Sequence, residues 1–306
     1  MKFRGLIIAV IVLAALAGVL YWSQHRKPPA ESAAVSPSAT PVILKVDPTS
    51  VTELVVKQKG SDPVTLKKTE GKWQITEPKP YRADQDAVTG VLSTLSAMSA
   101  DRVVEDKAAD RKQYGLEEPA AEVDVGTRQL MLGDDTPTGG DVYVAVAGDP
   151  RVFTVSSYTK TSLAKSLNDL RDKSLLTLNP DNVSRVELLK KGQDLEFDHT
   201  KDGWQILKPS ASPADATAVN DLVRSLTSAR MDFTSDGNAA ADFAHGTAVG
   251  TAKLTGDTGE QTLEVRKNKD DYYAKSSATE GTYKVDSSIG PTFDKKLDDF
   301  QPKKKS

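Results

Sequence analysis

The feature that most constrains the fold is an internal duplication. The sequence WQITEP at residues 73–78 recurs as WQILKP at residues 204–209, an offset of 131 residues. At the same offset an Ala-Asp pair precedes an apolar series with the i, i+3, i+4, i+7 spacing of one helix face. The two series are Val88, Val91, Leu92 and Leu95, and Val219, Leu222, Val223 and Leu226. Such a chain is expected to fold as two related units.

The duplication continues beyond the first helix, with an offset of 130 residues after a one-residue deletion. Tyr143 then corresponds to Tyr273, and Val155 corresponds to Val285. A second apolar helical series closes each copy. Its members are Leu163, Leu167 and Leu170 in the first copy, and Phe293, Leu297 and Phe300 in the second.

Alternating apolar and polar segments predict the strands of each copy. In the first copy they cover residues 51–57, 64–68, 72–76, 121–125, 129–132, 142–146 and 152–155. Helices are predicted over residues 84–98 and 157–170, with Asp84 and Asp215 as N-caps. Few connections are long enough for parallel crossovers. We therefore predict an α+β fold: a tandem duplication of a mostly antiparallel sheet with helices on one face, preceded by one transmembrane helix.

The N-terminus carries the predicted membrane helix. Residues 6–22 contain 17 residues without a charge, which as a helix would span roughly 25 Å. Lys2 and Arg4 precede this stretch, and Tyr21 and Trp22 end it, where aromatic rings favour a membrane interface. An alternative is a cleaved signal peptide with its site at residues 15–17. We favour an uncleaved anchor in the bacterial inner membrane, which contacts lipid and leaves the C-terminal bulk in the periplasm or outside.

The remaining boundaries follow from composition. Residues 1–22 form the predicted anchor, and residues 23–42, rich in Pro, Ser and Ala, form a linker. We place the first repeat at residues 43–178, the second at residues 179–300 and a short basic tail at residues 301–306.

Composition excludes several classes of function. The chain has 40 basic and 43 acidic residues, so it lacks the positive field that nucleic-acid binding requires. It has no cysteine, which excludes disulfides, thiolate metal sites and cysteine nucleophiles. Its three histidines, His25, His199 and His245, are not spaced for a helical zinc pair. We predict no metal, no cofactor and no enzymatic activity.

Three motifs could carry chemistry, and each has a structural interpretation that we favour. Trp73 and Trp204 could stack on a ligand, but matching positions in both copies favour a role in the repeat cores, with Pro78 and Pro209 ending the strands. The acidic loop at residues 134–141 could bind calcium but is more typical of a hairpin. Residues 114–119 contain two adjacent carboxylates, which cannot face each other across a cleft as hydrolysis requires.

The combined motifs resemble a known family. They are Gly-x-Trp-x-Ile-x-x-Pro at residues 71–78, Ala-Asp at 83–84, Tyr-Gly-Leu-x-x-Pro at 114–119, Leu-Gly at 132–133 and Asp-Leu-Arg-Asp-Lys at 169–173. Over about residues 43–300 this pattern is similar to the bacterial domain-of-unknown-function family numbered 4340. The second copy departs from it, because FAHGT at residues 243–247 replaces the Tyr-Gly-Leu motif.

The resemblance implies a single-pass, envelope-facing protein whose partners include components of gliding-motility-type ABC transporters. We therefore expect a membrane-anchored, non-catalytic binding or scaffold module that is accessory to such a transporter. One alternative is a periplasmic protein that binds a ligand or a cell-wall polymer. Another is a hydrolase whose site assembles from distant positions. The sequence identifies no small-molecule ligand.

Overall fold

A computed structural model describes residues 41–233 and 237–302. The predicted transmembrane helix, with Lys2, Arg4, Tyr21 and Trp22, lies outside these residues, as does almost all of the predicted linker. Within the described residues, every helix is too short or too polar to cross a membrane. The described chain is α+β, and its strands pair antiparallel.

The first repeat contains two sheets and three α-helices. Its strands are β1 (Val42–Lys45), β2 (Glu53–Gln58), β3 (Val64–Thr69), β4 (Lys72–Glu77), β5 (Tyr81–Arg82), β6 (Ala97–Ser99), β7 (Arg102–Glu105), β8 (Ala121–Val125), β9 (Arg128–Asp135), β10 (Asp141–Val146) and β11 (Val152–Ser156). Its helices are α1 (Gln85–Ser96), α2 (Ser157–Leu163) and α3 (Leu167–Leu170), with a 3-10 turn at Lys112–Tyr114.

The second repeat has one larger sheet. Its strands are β12 (Arg185–Lys190), β13 (Gln193–Thr200), β14 (Gly203–Lys208), β15 (Ser212–Pro213), β16 (Thr247–Gly256), β17 (Gly259–Asn268), β18 (Asp271–Ser276) and β19 (Thr279–Val285). Its helices are α4 (Ala216–Thr227), α5 (Ala239–His245) and α6 (Ile289–Asp294), with 3-10 turns at Pro180–Asn182 and Leu297–Phe300.

The two large sheets have the same topology, as the duplication predicts. The first runs β5-β4-β3-β2-β8-β9-β10-β11-β7, and the second runs β15-β14-β13-β12-β16-β17-β18-β19. The edge that β7 forms in the first sheet is matched in the second by a single bridge between Asp232 and Lys284 on β19. The bonds Glu77–Pro78 and Lys208–Pro209 are both cis, at equivalent positions.

Helices α1 and α4 cover the same face of their sheets. Both predicted apolar series are buried in the two main hydrophobic cores. The Asp84 carboxylate accepts hydrogen bonds from the Asp86 and Ala87 amides, and the Asp215 carboxylate accepts them from Thr217 and Ala218. Each aspartate satisfies amides that the first helical turn leaves unpaired, so both predicted N-caps are present.

Each repeat begins with a strand-like segment that pairs with the residues after its first long helix. In the first repeat β1 pairs with β6. In the second, Ser174 bridges Arg230, and the Leu175 amide donates to Ala229 O. Leu175, Leu176 and Leu178 therefore belong to the second core, although the sequence placed them in the first repeat. The boundary lies before them because their apolar side chains can be buried only against α4.

The closing helix of the first repeat differs from the prediction. Residues 157–170 form two short helices instead of one. Ser166 begins α3 through a capping box, in which its hydroxyl accepts from the Asp169 amide and the Asp169 carboxylate accepts from the Ser166 amide. Gln58 also donates to Ala164 O across the break. The apolar period continues across residues 164–166 while the backbone does not remain helical.

Candidate functional site

The two tryptophans lie inside the cores. Trp73 is 5% exposed and Trp204 is 4% exposed. The Trp204 indole donates its Nε1–H to Asn220 Oδ1 at 2.9 Å, and its ring lies 5.0 Å from the ring of His199. Neither tryptophan is available as a stacking platform for a ligand. Pro78 and Pro209 are exposed, so their assignment to the cores was wrong. Each directly follows its strand, where a residue without an amide hydrogen cannot extend the ladder.

The acidic loop is a hairpin between β9 and β10. The Thr136 amide donates to Asp141 O, and the Gly139 amide donates to Thr136 O. Lys160 Nζ lies 2.9 Å from Asp135 Oδ1 and neutralises part of the charge of the loop. Within the described residues no group of three or more His, Asp or Glu side chains is arranged to hold a metal ion.

The Tyr-Gly-Leu loop packs against the outer face of the first sheet, opposite α1. Leu116 is buried there with Ala145 and Val152. The Tyr114 hydroxyl donates to Glu105 Oε2 at 2.9 Å, which raises the pKa of Tyr114. A Cβ at Gly133 would lie 2.2 Å from Tyr114 O, so the Leu-Gly motif leaves space for this loop. Both motifs thus have a packing role.

Helix α5 takes the place of this loop in the second repeat. Phe243 and Ala239 bury against Tyr273, the counterpart of Tyr143. The last residue of α5, His245, places its Nδ1 2.8 Å from Ala241 O, whereas His199 lies on β13. The sequence did not predict α5, because its short apolar series lacks a regular helical period.

The strongest polar contacts of the described chain lie where the two repeats meet. The side chain of Arg82 on β5 crosses into the second repeat and is bound on all three nitrogens. Nε donates to Asp172 Oδ2 at 3.0 Å, Nη1 donates to Ala278 O at 2.9 Å, and Nη2 donates to Ser174 O at 2.6 Å. Nη2 also lies 3.1 Å from Thr279 Oγ1. The rigid fork of a guanidinium group suits such a multiple contact.

A second arginine of the junction lies among aromatic rings from both repeats. The Arg171 guanidinium carbon is 3.9 Å from the centre of the Tyr81 ring and 4.8 Å from that of Phe233. Its Nη2 donates to the Tyr283 hydroxyl at 2.8 Å. Cation–π contacts of this kind stabilise by roughly 0.5–2 kcal/mol. We call Arg82, Arg171, Asp172, Tyr81 and Tyr283 the joint.

Asp172 is the anionic group of the joint. Partial burial acts to raise its pKa, but hydrogen bonds from Ser174 and the contact with Arg82 outweigh this effect and lower the pKa below its usual value. A cleft of 190 Å³ lies between the joint residues and Met231. This volume is below that of most small-molecule sites, so the junction is mainly a contact between repeats.

The joint was not predicted from the sequence. Residues 169–173 were recognised as a motif, without a role for Arg171 or Asp172, and Arg82 was not singled out. The available signal was that the second repeat has Pro213, Gln301 and Pro302 at the equivalent positions. Charged residues that occur in only one copy are candidates for a contact that the copies do not share.

Comparison with known proteins identifies the family. A family model described as a domain of unknown function, DUF4340, matches residues 73–239 and residues 204–304. The two matches begin at Trp73 and Trp204, which are equivalent positions in the two repeats. No curated protein and no solved structure matches the chain. The two family matches together cover more than half of the chain, which therefore belongs to the DUF4340 family.

Proposed function

We propose that this chain is a non-catalytic binding or scaffold module, held at a bacterial membrane by an N-terminal helix and accessory to an ABC-type transporter. The uncharged stretch of residues 6–22 and the proline-containing linker support the anchored arrangement. In this proposal the linker gives the two repeats reach away from the membrane, where they contact the partner.

The joint is the observation that carries the proposal. Arg82 and Arg171 connect two sheets of the same topology, so both repeats present their surfaces as one unit. Such a unit suits a large partner that contacts both repeats together. Contacts at two places also add their effects without requiring a deep pocket in either one.

The outer faces of the sheets are polar and carry both charges. Because Leu195 and Phe197 point into the core, Glu196 between them points to the opposite face. It is 3% exposed and is paired with Arg185 and with Lys208, whose Nζ lies 2.9 Å away. On the first sheet Lys57 pairs with Glu122. Mixed charges of this kind favour specificity for a protein surface with matching charges.

The test is cross-linking in the native membrane, followed by identification of the co-purified proteins. We would compare the intact chain with residues 41–306, a fragment that retains Pro41 because Pro41 O accepts from the Ala100 amide. We expect transporter subunits with the intact chain and a marked loss with the fragment.

A third sample, the intact chain with Arg82→Ala and Arg171→Ala, separates anchoring from the action of the joint. The proposal predicts that it localises normally but recovers less partner. Recovery of lipid or wall polymer alone would contradict the transporter role and favour the alternative of a ligand- or polymer-binding protein. Equal recovery of transporter subunits by the intact chain and the fragment would contradict the need for an anchor.

A further inference from the structure

A second cleft lies beside the joint, entirely within the second repeat and the segment that leads into it. Its volume is 470 Å³. One wall is the segment from Ser174 to Pro180, and the other is the C-terminal part of α4 with the residues that follow it. This volume lies in the range of pockets that hold small molecules.

Two arginines give the cleft its charge. Arg224 and Arg230 both line it, and both are exposed. Among the described residues neither forms an ion pair with a carboxylate. Arg230 Nη1 donates to Thr227 O at 3.2 Å, while its other guanidinium nitrogens make no hydrogen bond to a described residue. Both groups therefore retain donors that can bind a ligand.

Comparison of the repeats argues against a purely structural role for these arginines. A basic residue near the end of a helix can stabilise the C-terminal carbonyls, which would explain Arg224. At the offset of 131 residues, however, the first repeat has Ser93 and Ser99 at the positions of Arg224 and Arg230. Helix α1 has the same length as α4 and ends without a basic residue. The fold therefore does not require either arginine.

The acidic groups nearby leave the cleft positively charged. Asp172 lines it too, but its carboxylate already binds Arg82 at 3.0 Å. An adjoining cleft of 210 Å³ shares Arg224 and adds His199 and Asp181. Asp181 is thus the remaining negative side chain that lines these two clefts, against two guanidinium groups.

We propose that Arg224 and Arg230 form a binding site for a phosphate group, carried either by a small molecule or by a lipid headgroup. Guanidinium groups bind the oxygens of phosphate through paired, charge-assisted hydrogen bonds. The 470 Å³ cleft leaves room for the rest of a small phosphate ester. This inference does not depend on the proposed scaffold function.

The test is isothermal titration calorimetry on the full chain in neutral detergent. The probes are inorganic phosphate and pyrophosphate, and sedimentation with phosphatidylglycerol or phosphatidylcholine vesicles is the second measurement. We expect saturable binding of pyrophosphate, of phosphatidylglycerol vesicles or of both, weakened by added salt. Binding of pyrophosphate indicates a soluble ligand, and binding of anionic vesicles alone indicates a lipid headgroup.

Variants locate the site. Arg224→Gln and Arg230→Gln should each weaken binding about tenfold or more, because each removes charge-assisted hydrogen bonds. Arg102→Gln is the matched control, since Arg102 is exposed on β7 and has no ion pair with a described residue. The proposal is overturned if neither probe binds, if the double variant binds like the unaltered chain, or if the control loses as much affinity. A circular dichroism spectrum like that of the unaltered chain shows that each variant is folded.

Discussion

Arg82 Nε donates to Asp172 Oδ2 at 3.0 Å, across 90 residues of sequence. The same guanidinium group reaches Ala278 and Thr279 in the second repeat. One side chain of the first sheet thus contacts the segment between the repeats and the hairpin of β18 and β19. We infer that this contact contributes to the stability of the whole described chain and not of one repeat alone.

The first prediction concerns the removal of this side chain. Arg82→Ala should lower the free energy of unfolding by about 1–3 kcal/mol, because it leaves Asp172 and two carbonyl groups without their donor. The estimate is kept low because the side chain is 38% exposed and solvent screens part of the interaction. Urea unfolding of residues 41–306, followed by tryptophan fluorescence, measures the change. Arg128→Ala, at an exposed arginine without an ion pair in the described chain, should change stability by at most about 0.5 kcal/mol. Equal effects of the two substitutions would contradict the role of the joint.

The second prediction concerns pH. The folded chain holds the pKa of Asp172 below its usual value of 3.8, so the unfolded chain binds the proton more readily. The stabilisation from this carboxylate is therefore complete well above pH 4, roughly the unfolded pKa, and is lost as the pH falls through the folded pKa. Asp172→Asn should be less stable than the unaltered chain at pH 7, and the difference should shrink below about pH 4. Urea midpoints measured from pH 7 to about pH 3 test this. Parallel pH curves for the two proteins would show that Asp172 is not responsible.

The third prediction compares two glycines. A Cβ at Gly133 would lie 2.2 Å from Tyr114 O, a backbone atom that can move only with its loop. Gly133→Ala should therefore destabilise the fold by about 1–3 kcal/mol. A Cβ at Gly90 on α1 would meet no atom within 4 Å, and alanine is the better helix former. Gly90→Ala should stabilise by up to about 1 kcal/mol. Thermal unfolding should show shifts of opposite sign, and a neutral Gly133→Ala would mean that the loop does not pack as described.

The fourth prediction tests whether the repeats are equivalent in energy as well as in topology. Asp84 and Asp215 each accept two amide hydrogen bonds at the start of α1 and α4. Asp84→Ala and Asp215→Ala should each cost about 1 kcal/mol. Asp84→Asn and Asp215→Asn should recover most of that loss, because asparagine also caps helices well. A large effect in one repeat and none in the other would show that the cap contributes in only one of them.

The parts of the fold that the sequence predicted are those with a local signal. The buried faces of α1 and α4 follow from spacings within eleven residues, and the caps at Asp84 and Asp215 directly precede them. The break between α2 and α3 was missed, because the apolar spacing of Leu163, Leu167 and Leu170 continues across it. The capping box of Ser166 and the bond from Gln58 to Ala164 O decided that local structure.

The sequence by itself determined that the protein contains two copies of one α+β unit, because repeated periodicity is visible along the chain without knowledge of contacts. Only the tertiary structure decided how the copies are joined and which charged groups stand together. Arg82 and Thr279 are 197 residues apart in the chain, and their hydrogen bond depends on both sheets having formed. The arginines of the cleft become recognisable as a pair only when α4 and the segment before β12 have folded around them. Contacts of this kind carry no local periodicity, because the two partners are brought together by the packing of everything between them.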